Sequence, residues 1–267
     1  MRISFCVGER LADCDFSSKV TATSINDAPT ITGASAGQAV NDNATISPFS
    51  SIIIGDVDSP AQTQSVSVTL DTAAKGSFTT LNGFSNAGSG VYTFSGTAAN
   101  ATTAIRDLVF PPAANRVAPG STETTTFTIS TNDGVASAVT NNTTTVVSTS
   151  INNAPVFVTA TTASFTVMAN SSNMDISSYL AITDPDTGSQ TETWTVSVAT
   201  NHGGTVTAGT TATSGAGSRT PTGWHYHPAT GFVGTETFTI QVSDGTNTAT
   251  RAFSITVTRP GFHQLWG

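Results

Sequence analysis

Two stretches, TTTFTISTNDG at residues 124–134 and TETFTIQVSDG at residues 235–245, decide how this chain folds. Apolar residues fall on every second position, Phe127 and Ile129 in the first and Phe238, Ile240 and Val242 in the second. That is the period of a strand with one buried face. Both runs end in Asp-Gly, Asp133-Gly134 and Asp244-Gly245, which suits a tight connection whose glycine takes positive φ. Further signals recur in the same order around each stretch. Upstream lie an acidic pair, Asp56 and Asp58 in IIIGDVDSP and Asp184 and Asp186 in AITDPDTGS, and an alternating run, SVSVTL at 65–70 and TWTVSVA at 193–199. Between them and the long strands come an aromatic, one spacer and a proline, Phe110-Pro111-Pro112 and Tyr226-His227-Pro228. Each half is prefaced by one phrase, SINDAP at 24–29 and SINNAP at 150–155, and closes in a Thr/Val-rich strand.

This repetition divides the chain into a first β domain at 28–151, a linker at 152–155 and a second β domain at 156–258. A chain of 267 residues has room for two domains that each bury a core. One segment departs from the strand pattern: in TAANATTAIRDLVF, residues Ala98, Ala101, Ile105 and Leu108 are spaced about one helical turn apart, which predicts a short helix in the first domain. Residues 18–25, SKVTATSI, read as the last strand of a preceding repeat, so that 1–27 form an atypical lead-in and the chain reads as starting partway through a larger array. Residues 259–267 read as a tail.

Composition excludes some functions. Charged residues make up 10% of the chain, the only lysines are Lys19 and Lys75, and the formal charge is −8. No positive field exists to attract phosphate backbones, which argues against nucleic acid as a partner. No apolar run reaches the roughly 20 residues that a spanning helix needs, and MRISFCVGERLADCDF lacks the apolar core of a secretory signal. Cys6 and Cys14 lie close together in the lead-in, so they can form a local disulfide or remain thiols but cannot staple one domain to the other.

From about residue 20 to 258 the motifs resemble the bacterial cadherin-like repeats of large surface adhesins and repeat-in-toxin-type proteins. The NDAP linker, the acidic pairs and the segment NHGGTV…WHYHPATGFVGTETFTIQVSDG carry the resemblance. It implies an all-β fold, two tandem antiparallel Greek-key β-sandwiches of cadherin-like or immunoglobulin-like layout. It also implies an extracellular or cell-surface structural or adhesive segment, stiffened by calcium at its junctions. Carried over motif by motif, one calcium site uses Asn26, Asp27, Asp56, Asp58 and Asp133, and a second uses Asn152, Asn153, Asp184, Asp186 and Asp244. Calcium takes six to eight hard oxygens, which clustered carboxylates and carbonyls supply. Because Asn153 offers an oxygen without a charge, the internal junction should bind calcium more weakly. The implied partner is another surface protein or a carbohydrate.

The alternative is a polysaccharide-binding module or a hydrolase of glycosides or esters. His225 and His227 share one strand face and could ligate zinc with His202. Glu192, Glu236, Asp184 and Asp186 could supply a glycosidase's carboxylate pair, and Trp194, Trp224, Tyr226 and Tyr92 could stack on sugars. Each group has a plainer role, in the core, at a strand start or on a solvated face. No Gly-x-Ser-x-Gly elbow is present, and the Gly-rich GAGS at 215–218 has no phosphate-binding lysine. The sequence leans against an enzyme; if the chain is one, it is a hydrolase acting on glycosides or esters.

Overall fold

The structure is a computed structural model that describes residues 24–159 and 162–260. The lead-in with Cys6 and Cys14, most of the strand expected at 18–25, and all but two residues of the tail lie outside the described residues.

In the first domain the strand Thr122–Asn132 is the organising element. It pairs on one side with Thr63–Leu70 and on the other with Val139–Asn141 and Thr145–Thr149. The sheet continues through Val91–Thr97 and Ser85–Gly88 at one edge and Gln38–Asn41 at the other. The short pair Thr30–Thr32 and Ile53–Gly55 forms a separate two-stranded sheet. The predicted helix is present as Ala98–Arg106 and buries Ala101, Ala104 and Ile105. It starts where the Thr97 side chain accepts a hydrogen bond from Asn100 N, an N-cap. Thr102 Oγ1 bonds to both backbone groups of Ile54, and Arg106 Nε donates to Ile52 O, tying the helix to the Ile53–Gly55 strand. The helix ends before Leu108, which is nonetheless fully buried.

In the second domain the corresponding strand, Gly234–Ser243, lies between Thr248–Thr258 and Gln190–Val198. Thr162–Met168 and Ala212–Gly215 complete this sheet, and two three-stranded sheets accompany it. The fold is all-β and immunoglobulin-like, with one difference from a purely antiparallel arrangement. Gln38–Asn41 runs parallel to Thr145–Thr149, and Thr162–Met168 runs parallel to Thr248–Thr258. Gln38–Asn41 and Thr162–Met168 are the second strands of their domains; the first ones, Thr30–Thr32 and Val156–Phe157, pair antiparallel in other sheets, and it is the second and last strands that run the same way and pair in parallel.

Each domain has its own core. The first is an aromatic cluster in which Phe127 packs edge-on against Phe110 at 5.0 Å and Phe49 at 5.2 Å. In the second, Tyr226 stacks on Phe238 at 5.6 Å and Phe238 on Phe253 at 4.6 Å. The aromatic of each aromatic-x-Pro motif thus packs on the phenylalanine of the long strand. The run TWTVSVA departs from its expected alternation: Trp194 is buried, but Val196 and Val198 are both exposed, and a bulge lies between them in the pairing with Gly234–Ser243.

Candidate functional site

At the entrance to the first domain, the Asp-Gly turn after Thr122–Asn132 holds Asp133. Asp133 Oδ1 accepts from Val135 N and Ala136 N at 2.8 Å each, while Oδ2 accepts from Asn26 Nδ2 at 3.0 Å. Gly134, at φ 84°, closes the turn as expected. The Val135 N–H first, and then the Asn26 amide, hold the Asp133 carboxyl below the usual carboxylate range. Asp56 and Asp58 sit beyond the strand Ile53–Gly55. Asp56 accepts from Asp58 N at 3.0 Å and from the Gln64 amide, and Asp58 Oδ2 accepts from Asp27 N at 3.0 Å. Oxygens of Asp56, Asp58 and Asp133 come within 4.8 Å of one another. Six of the first predicted residues' neighbours are N–H donors, which is how three clustered carboxylates remain compatible with a compact turn.

The second linker repeats this arrangement nearly atom for atom. Asn152 Nδ2 donates to Asp244 Oδ2 at 2.9 Å, Asn153 N to Asp186 Oδ2 at 2.9 Å, and Asp186 N to Asp184 Oδ1 at 2.8 Å. Asp244 Oδ1 accepts from Thr246 N and Asn247 N, as Asp133 does from its own turn. A glutamine joins each set: Gln62 Nε2 donates to Asn26 Oδ1 at 2.6 Å, and Gln190 Nε2 to Asn152 Oδ1 at 3.1 Å. The sequence reading did not single out these glutamines. Their signal was available, since each stands four positions after the second aspartate of its pair.

The two sets differ in charge and in depth. Gln64 is replaced by Glu192, fully buried and ion-paired with Arg219. Burial pushes the Glu192 carboxyl up; the bond to Arg219 opposes this and the neighbouring Asp184 carboxylate adds to it. Asp184 Oδ2 and Glu192 Oε2 are buried without a hydrogen-bond partner. Among the described residues, a cluster of three acidic side chains close enough to share a metal ion occurs at Asp56, Asp58 and Asp133 and not at Asp184, Asp186 and Asp244.

The residues considered for catalysis are committed to other tasks. Glu236 is fully buried and accepts from His202 N at 3.0 Å, Gly204 N at 2.9 Å and the Tyr226 hydroxyl. Burial, and then Glu236, push the Tyr226 hydroxyl up, well outside the range in which it could exchange a proton near neutrality. His202 stacks on Phe232, and His225 Nδ1 lies 2.9 Å from Gly223 O. No metal-ligating group of His202, His225 and His227 forms among the described residues. Tyr92, Trp194, Trp224 and Tyr226 are at most 2% exposed, so they are core residues and none offers a face to a sugar. The GAGS segment, read from the sequence as a hairpin tip, instead carries the chain from one sheet to another: Ala212–Gly215 pairs with Gln190–Val198, and Ser218–Arg219 pairs with Ile182–Thr183.

Solved structures that align with the chain include an endo-fucoidan hydrolase from glycoside hydrolase family 107, at 15% identity over 87% of this chain, TM-score 0.28. The chain spans 29% of the length of that hydrolase. The EC1-2 tandem of human protocadherin-24 aligns at 11% identity over 88% of this chain and 100% of its own, TM-score 0.34. Drosophila N-cadherin EC1-4 aligns at 13% identity over 88% of this chain and 51% of its own, TM-score 0.27. No curated protein matches in sequence. Residues 152–258, which begin at the asparagine of the second linker and end with the last strand, match the family model described as a bacterial Ig domain.

Proposed function

We propose that the chain is an extracellular structural or adhesive segment of a large bacterial surface protein, in which Ig-like domains are held end to end and calcium stiffens the first junction. One observation carries this reading. The same linker asparagine, glutamine, acidic pair and Asp-Gly turn assemble at both domain entrances, with the same donors on the same acceptors. A fold that builds one junction twice is suited to serial extension.

Calcium is assigned to Asp27, Asp56, Asp58 and Asp133, with Asn26 as a neutral oxygen ligand. Gln62 Oε1, buried without a partner, adds a further oxygen at this entrance. For the ion to reach Asp133 Oδ2, the Asn26 side chain must turn so that its carbonyl replaces its amide group, because an N–H aimed at that oxygen repels a cation. The second set, Asn152, Asn153, Asp184, Asp186 and Asp244, has one carboxylate fewer and should bind calcium more weakly. Among the described residues, the groups weighed for the hydrolase reading are core residues or are bonded within their own turns.

A thermal melt in EDTA followed by a calcium titration tests this reading, with magnesium as the control. A ligand that binds only the folded state raises apparent stability once its concentration passes the dissociation constant. The melting temperature of the first domain should rise by roughly 5 °C in saturating calcium, and Asp58→Asn should abolish the rise. Equal shifts with magnesium, or none with either ion, would remove calcium from the proposal.

A further inference from the structure

We infer that the internal junction is locked by the Asn153 carboxamide and holds its geometry without any cation, so that the chain carries two kinds of junction, one charge-type and one amide-type. This rests on the tandem-domain reading but not on calcium. The Asn153 side chain lies between the domains. Its Nδ2 is 2.8 Å from Asn115 Oδ1 of the first domain, 3.0 Å from Asp186 Oδ1 of the second and 3.1 Å from Ile151 O. The hydrogens of one amide group therefore bridge both bodies. An aspartate at this position could donate to none of these oxygens, and its carboxylate would face that of Asp186.

Further bonds clamp the linker from both sides. Asp42, only 6% exposed, accepts from Ile151 N at 3.1 Å through Oδ1 and from Asn115 N at 2.9 Å through Oδ2. This fixes the linker and the Asn115 loop to the first domain at once. Asn115 O also accepts from the Thr187 hydroxyl, in the loop that follows the Asp184–Asp186 pair. From the second domain, Asn247 Nδ2 donates to Asn152 O at 2.8 Å. A junction with this many directed bonds to both domains has little freedom left for an ion to remove.

Among the described residues, which start at Ser24, no bonds of this kind are made at the first entrance. Asp27 stands where Asn153 does, and of its polar groups the backbone N–H bonds to Asp58 and the carbonyl accepts from Asn26. The exchange of one letter between SINDAP and SINNAP is therefore a change in how the junction is held.

Double electron–electron resonance tests this directly. Spin labels go on Ser95→Cys and Thr195→Cys, exposed strand positions in the two domains, with Cys6 and Cys14 changed to serine. The wild-type linker should give one narrow distance distribution in EDTA, unchanged by calcium. Asn153→Ala should broaden it in both conditions. Asn115→Gly, which keeps the positive φ of 57° available at that position but removes the amide acceptor, should also broaden it. Differential scanning calorimetry, which reports the unfolding of both domains, establishes that each variant still folds. A wild-type distribution that is broad in EDTA and narrows with calcium would overturn the inference, as would Asn153→Ala or Asn153→Asp staying narrow in EDTA. If Asn153→Asp is broad in EDTA and stays broad in calcium, the amide lock stands and the calcium reading of this junction type fails; if calcium narrows it, both stand.

Discussion

Glu236→Ala should destabilise the second domain by about 4 kcal/mol. The carboxylate is fully buried and is the common acceptor for His202 N, Gly204 N and the Tyr226 hydroxyl. Truncation strands these donors, and each one left unsatisfied in the interior costs roughly 1–3 kcal/mol. Glu236→Gln should cost only about 1 kcal/mol, because Oε1 can still accept from the backbone N–H groups and the Tyr226 hydroxyl can rotate to accept from the new amide. Gly204 belongs to the same device, since a Cβ there would overlap the Glu236 carboxylate. Gly204→Ala should therefore behave more like Glu236→Ala than like a surface change. The readout is denaturant unfolding followed by the fluorescence of Trp194 and Trp224, both fully buried in this domain. Equal losses for the alanine and glutamine variants would show that the acid fills space without organising its donors.

Arg251→Met should do the opposite and stabilise the second domain by about 2 kcal/mol. Arg251 is 2% exposed, and its Nε and Nη1 have no hydrogen-bond partner. Its guanidinium lies 5.5 Å from the Phe157 ring centroid, and no acidic partner for it is found among the described residues. Burial pulls its affinity for the proton down, with the nearby Tyr179 opposing. A desolvated charge met only by a ring face regains less than it loses. Methionine matches the reach of the side chain without the charge. A shift of the second-domain unfolding midpoint to higher denaturant would bear this out, and a shift to lower denaturant would mean that the Phe157 contact outweighs desolvation.

Both effects depend on contacts that no local pattern announces. TETFTIQVSDG announces a strand with Phe238, Ile240 and Val242 inside, but nothing in it says what Glu236 accepts from. The sequence offers Glu236 only as a carboxylate near a strand start, whereas its donors come from a turn more than thirty residues upstream and from Tyr226. The linker shows the same division. Asn26, Asp56, Asp58 and Asp133 were named by the resemblance, motif by motif. Asn115 and Asp42 were not, although Asp42 meets Ile151 across 109 positions.

What the sequence by itself determined is therefore the local part. Side-chain alternation and Asp-Gly chemistry specify strands and turns because both act between residues a few bonds apart. The repeated order of those signals specifies two domains of one kind. The tertiary structure alone decided that the second and last strands of each domain pair in parallel, that Val196 and Val198 are exposed, and that the Asn153 amide bridges the domains. The physical reason is one of reach. A hydrogen bond is satisfied only when donor and acceptor meet within about 3 Å, and for these groups that happens only after the sheets close and the two domains are set end to end.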